Sequence, residues 1–100
     1  MRIIKGFENY CVDIDGNIFN VKTGRRLKYS IDKKGYLKVA LFGKNSKIHT
    51  GVHRVVALNY IENPNNKAQV NHINGIKADN RVENLEWVTN KENTLHAIKS

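Results

Sequence analysis

Ala68-Gln69-Val70-Asn71-His72-Ile73-Asn74-Gly75, and then Asn84-Leu85-Glu86-Trp87-Val88-Thr89-Asn90-Lys91-Glu92, read as two short strands and the start of a helix. Ala68 to His72 has the length and alternation of a strand, and Asn74-Gly75 is the turn that ends it. Residues 76–83 are polar and read as a loop. Leu85 and Trp87 alternate with Glu86 and Val88 as a second strand. Thr89 with Glu92 three residues later is a capping box, so a last helix is predicted to begin at Asn90.

Upstream, Val52, Val55, Val56, Asn59 and Tyr60 recur at helical spacing, which predicts an amphipathic helix that stops before Pro64. The period changes at His49. Before it, Tyr10, Val12 and Ile14 alternate with polar residues, and Asp15-Gly16 leads into Ile18 to Val21, the pattern of a hairpin. Thr23-Gly24 marks a further turn, Leu27, Tyr29 and Ile31 alternate, and Lys33-Lys34-Gly35 breaks the chain before a strand from Tyr36 to Phe42. The expected fold class is α+β, an N-terminal antiparallel β meander followed by a helix and a strand–loop–strand–helix unit. Residues 1–50 are expected to form a basic β-rich part and residues 51–100 the second part, in one compact unit.

Charge divides the same way. The net charge is +8, and residues 1–50 hold eleven Lys and Arg against four Asp and Glu, whereas residues 51–100 hold six against five. A surface of this sign attracts a polyanion by releasing its condensed counterions. Arg25, Arg26, Lys28, Lys33, Lys34 and Lys38 fall on strands and hairpin tips, where they would follow DNA phosphates; the alternative is a merely solubilising surface. Tyr29 and Tyr36, among these bases, would stack on bases or sugars or supply apolar area to the sheet. Arg54 and Arg81 suit phosphate contact and structural pairing equally. An anionic membrane would need a basic amphipathic helix, which this segment does not form. No apolar run reaches the roughly 18 residues of a membrane span. Cys11 is the single cysteine, and Met1 to Tyr10 has no signal-peptide core, so a cytoplasmic location is expected.

For chemistry, His72 stands at a strand end between Asn71 and Asn74, and Asn80, Asn84, Asn90 and Asn93 follow closely. Buried amides need partners, so this density implies structural or functional hydrogen bonding. Asn74, Asn80 and Asn90 read as turn and helix caps. His49 and His53 read as structural, His96 as a surface residue sharing the face of Asn93, and Trp87 as core.

Taken together, Val70-Asn71-His72-Ile73-Asn74-Gly75, Asn80-Arg81-Val82-Glu83-Asn84-Leu85-Glu86-Trp87 and Thr89-Asn90-Lys91-Glu92-Asn93 closely resemble the HNH endonucleases of bacteriophages and group I introns. His53-Arg54-Val55-Val56-Ala57 matches the helix that commonly precedes the motif, so the resemblance covers roughly residues 50–96. Gly6-Phe7, Tyr10, Val12 and Gly16 resemble, more weakly, a small β module often joined to phage HNH proteins; the tryptophan usual near its start is absent.

The resemblance implies a ββα-metal fold clasping one divalent cation, Mg2+ or Mn2+, and hydrolysis of phosphodiester bonds in double-stranded DNA. Within it His72 would be the general base, Asn84 would pin the loop that holds the histidine, and Asn71 and Asn93 would be the metal ligands. One active site on a monomer implies nicking, and no obligate protein partner is implied. Two departures bear on the cation: the first implies lower metal affinity, and the second argues against a tight zinc preference. Asn71 stands where many such nucleases carry aspartate, and Asn93 stands where others carry histidine. The alternatives are a weak or inactive DNA-binding module that keeps the fold, and a basic RNA-binding protein.

Overall fold

The computed structural model describes residues 1–92. Its first hairpin shows how local chemistry sets the turns. The Asp13 carboxylate accepts the backbone N–H groups of Asp15 and Asn17 at 2.9 Å each, and Gly16 takes φ +88°. Asp32 repeats the device with Lys34 and Tyr36, and Gly35 takes φ +91°. These are Asx turns with one left-handed glycine apiece. The two-residue Asp15-Gly16 turn expected from sequence would need positive φ at both residues, and Asp15 does not adopt it. Ile14, expected to continue the strand, therefore sits in the turn and is exposed.

The first half forms two three-stranded antiparallel sheets rather than one continuous meander. The first contains β1 (Arg2–Ile4), β2 (Phe7–Val12) and β3 (Ile18–Asn20); the second contains β4 (Ser30–Ile31), β5 (Leu37–Phe42) and β6 (Lys47–Gly51). The break has a physical cause. Between the sheets, Asn20 caps the N–H groups of Lys22 and Thr23, and the Tyr29 hydroxyl is drawn to Gly16 O and Ile18 N, both at 2.8 Å. Leu27 and Tyr29 thus pack inward without joining a ladder, apart from one bridge between Phe19 and Arg26.

Strand β6 runs through His49 to Gly51, and α1 spans Val52–Tyr60. Val52, Val55, Val56 and Ala57 give α1 its buried stripe. They meet Ile4, Tyr10, Val12, Ile18, Val39 and Leu41 from the two sheets, and Val70 and Leu85 from the second half. One core therefore joins both halves, and each fully buried aliphatic contributes about 1.5–3 kcal/mol. Tyr60 donates to Val12 O at 2.7 Å, tying the helix end to the first sheet.

Strands β7 (Gln69–His72) and β8 (Leu85–Val88) pair antiparallel, with Asn71 opposite Glu86 and His72 opposite Leu85. Thr89 N–H donates to Glu92 Oε1 and Glu92 N–H to Thr89 Oγ1, each at 3.1 Å, so the expected capping box is formed and a helix begins at residue 90. Among the described residues, no helix is long and apolar enough to cross a membrane.

Candidate active site

The loop between β7 and β8 is gathered around Asn84. Its side-chain oxygen accepts Asn74 N–H at 3.0 Å, and its amide nitrogen donates to Asn74 Oδ1 at 2.9 Å and Asp79 O at 2.8 Å. Its own carbonyl accepts Ile73 N–H at 2.8 Å, directly after His72. With every amide function engaged and the residue buried, Asn84 pins both ends of the loop.

Arg81 belongs to the same structure. Its guanidinium grips both Asp79 oxygens at 2.8 Å and Glu83 at 2.6 Å. These hydrogen bonds from Arg81 hold the Asp79 carboxyl well below the usual carboxylate range. Of the two roles open to Arg81, the geometry displays structural pairing.

His72 is 4% exposed, at the end of β7. Its Nε2 lies 2.7 Å from Oδ1 of Asn80, which is also buried. The imidazole centroid stands 5.1 Å from that of His53 and 5.9 Å from the Tyr36 ring, and His53 and Tyr36 are themselves 5.1 Å apart. Burial, followed by the nearby His72, Arg54 and Lys38, lowers the pKa of His53 to about 4, so it is neutral at neutral pH. Room for its ring comes from Gly51, since a Cβ there would lie 2.4 Å from His53 Cε1.

Beside this ring cluster opens a polar cavity of about 280 Å³, lined by Lys34, Lys38 and Arg54 and by the Asp32 carboxylate, together with Tyr36, His53, Gln69 and Val70. The second sheet thus delivers two of the expected DNA-binding lysines to the neighbourhood of His72. Lys77 closes the arrangement from the other side, with Nζ 4.8 Å from the Tyr36 centroid and a hydrogen bond to Lys34 O. The remaining bases are not gathered there. Arg26 and Lys28 border a separate concavity with Tyr29 and Leu37. Arg25 follows the Thr23-Gly24 turn, and Lys33 lies exposed in the Asp32 turn.

Asn71 is buried in β7, and its amide nitrogen donates to Glu86 Oε1 at 3.0 Å. That bond leaves Oδ1, a hard neutral oxygen, without a donor among the described residues. Such an oxygen fits Mg2+ or Mn2+, whose coordination is readily completed by phosphate and water. Asn93, the other expected ligand, and His96 lie outside the described residues. Among the described residues, no three His, Cys, Asp or Glu side chains cluster as a metal cage.

Sequence reasoning passed over Tyr36 as a neighbour of His72, assigned Asn80 to a turn cap, and missed Lys77. Their approach depends on how the sheet and loop fold back, and no local spacing reports it. Trp87 is core as expected, its indole donating to Ile61 O at 3.0 Å.

Residues 50–95 match the family model of the HNH endonucleases. Over 92 residues the chain is 45% identical to an uncharacterized HNH endonuclease of Acanthamoeba polyphaga mimivirus, covering 92% of this chain and 28% of that protein. It is 38% identical over 91 residues to the DNA endonuclease I-HmuI of Bacillus phage SP01, covering 90% of this chain and 52% of that one. The solved structure of the HNH homing endonuclease I-HmuI, which concerns DNA binding and cleavage, superposes with a TM-score of 0.89 at 35% identity. It covers 98% of this chain and 57% of that one, so the chain spans little more than half of these relatives at most. His72, Asn80 and Asn84 all lie inside the segment that matches the HNH endonuclease model, on a fold shared with I-HmuI along nearly the whole of this chain.

Proposed function

We propose that this chain is a DNA endonuclease that nicks duplex DNA with the help of a divalent cation, His72 serving as general base. The observation that supports it best is the position of His72. Its ring packs against His53, which lines a cavity edged by Lys34, Lys38 and Arg54, and the Oδ1 of its chain neighbour Asn71 has no donor among the described residues. A phosphodiester lying there would meet three cations against the single carboxylate of Asp32, while the imidazole takes the proton of the attacking water. Asn84 keeps the loop closed under the base. HNH nucleases generally use a divalent metal, and here Asn71 and Asn93 would hold it. When bound, the cation would engage the scissile phosphate and stabilise charge on the leaving oxygen.

The test is conversion of supercoiled plasmid to open circles by the purified protein. Nicking is expected with Mg2+ or Mn2+ and none with EDTA. A folded protein that binds plasmid yet cuts in neither metal overturns the nuclease reading and leaves the DNA-binding module.

That second reading is favoured by one observation, the neutral amide at Asn71, and it has its own test. Asn71→Asp would set a second carboxylate where the amide now meets Glu86 at 3.0 Å. Two facing carboxylates repel unless a cation lies between or beside them. We expect Asn71→Asp to melt at lower temperature than wild type in EDTA, to regain stability in Mn2+, and to reach half-maximal nicking at about tenfold lower metal, or 1.4 kcal/mol. A melting temperature indifferent to Mn2+ would remove Asn71 from the ligand set.

A further inference from the structure

Asn80 is as buried as His72, and its side chain makes a single hydrogen bond among the described residues, at 2.7 Å to Nε2 of His72. Besides the hold of Asn84 on Asp79 O, contacts from the other half of the chain fix Asn80. A Cβ at Gly16 would lie 2.9 Å from both Cβ and O of Asn80, so the β2–β3 turn presses directly on this residue. Val82 N–H, two residues on, donates to Ile14 O at 2.9 Å, closing the same contact from the far side. Tyr29 supports the turn in its place by donating to Gly16 O.

We propose that Asn80 is a positioning residue that sets the tautomer of His72, and that the N-terminal turn at Gly16 holds Asn80 to that task. With the amide oxygen toward the ring at 2.7 Å, the contact is a hydrogen bond when Nε2 carries the proton, since an amide oxygen only accepts. The lone pair is then on Nδ1, which no hydrogen bond engages among the described residues. A neutral imidazole has one basic nitrogen, and the partner of the other nitrogen decides which. Asn80 thereby makes Nδ1 the proton-accepting atom and fixes the ring plane. The N-terminal sheet, besides carrying basic residues, becomes a structural condition of the base. The catalytic meaning of this assignment rests on His72 being the base, whereas the tautomer itself does not.

The experiment is nitrogen NMR of protein labelled at its four histidines, recorded where the rings are neutral, with His72 assigned by its loss in His72→Ala. Wild type is expected to carry the proton on Nε2 of His72. Asn80→Leu removes the acceptor and is expected to shift the proton toward Nδ1 while nicking falls by about 10–100-fold. Asn80→Asp keeps both the shape and an acceptor and is expected to retain the Nε2–H form and most of the nicking, while the tautomer readout, which packing alone does not move, separates the acceptor role from a packing role. Should Asn80→Leu fail to fold, the wild-type spectrum and Asn80→Asp still decide. A proton on Nδ1 in wild type, or an unchanged tautomer in folded Asn80→Leu, overturns the proposal. Wild type with Nε2–H that never cuts DNA would defeat the nuclease reading and leave the tautomer assignment standing.

Discussion

His72→Ala is expected to leave a protein that still binds plasmid but nicks it about 10²–10⁴-fold more slowly, the range general-base catalysis supplies. The loss should fall on the rate at saturating DNA rather than on affinity, because the His72 ring is buried and is not among the residues that line the cavity edged by Lys34, Lys38 and Arg54. Truncation also opens a void beside Tyr36 and His53 and leaves Asn80 Oδ1 without its donor. An unpaired buried acceptor costs about 1–3 kcal/mol, so the melting temperature should drop. His72→Gln separates the two effects. Its amide would fill more of the space and offer Asn80 a donor, yet it accepts no proton at neutral pH. We therefore expect His72→Gln to be more stable than His72→Ala and equally slow. Nicking by folded His72→Gln near the wild-type rate would mean that another group activates the water.

The parts of this fold that were legible in sequence are those whose causes are local. Thr89 and Glu92 are three residues apart and bond each other, so their capping box could be read directly. Leu85 to Val88 and Ala68 to His72 are short alternating runs whose partner lies across one loop. The first half was harder. The strand Arg2–Ile4 buries one residue, too few to make a period. Tyr29 and Ile31 alternate as a strand would, but the Tyr29 hydroxyl is committed to the Gly16 turn and Ile31 is exposed.

The same division holds at the site. His72, Asn71 and Asn84 sit on a motif with fixed spacings and were identified from it. Tyr36 reaches His72 only because β5 and α1 pack on one core, and Asn80 reaches it only because Asn84 and Gly16 fold the loop inward. Arg81 and Lys34 look alike as basic residues in sequence. What separates them is the nearby acid, since Asp79 and Glu83 occupy the Arg81 guanidinium.

That separation gives the basic residues unequal expected effects. Replacing Lys34, Lys38 and Arg54 together by glutamine should weaken plasmid binding and also slow nicking at saturation, because all three border the cavity next to the ring cluster of His72. Each phosphate contact adds about 0.9 to the slope of log affinity against log salt, so three contacts at roughly 0.15 M salt amount to on the order of 100-fold in affinity. The triple variant should accordingly show a salt slope shallower by about 2.7. Reversing charge at Arg25 and Arg26 should also weaken binding and flatten the slope, but with the saturated rate retained, since Arg26 opens on a different concavity. Filter binding and plasmid nicking across a salt series measure both quantities on the same samples. If the triple variant changed affinity alone, the cavity would be a remote grip on the DNA backbone. If it changed neither, Lys34, Lys38 and Arg54 would be surface charge, and the scissile phosphate would have to approach His72 from another side.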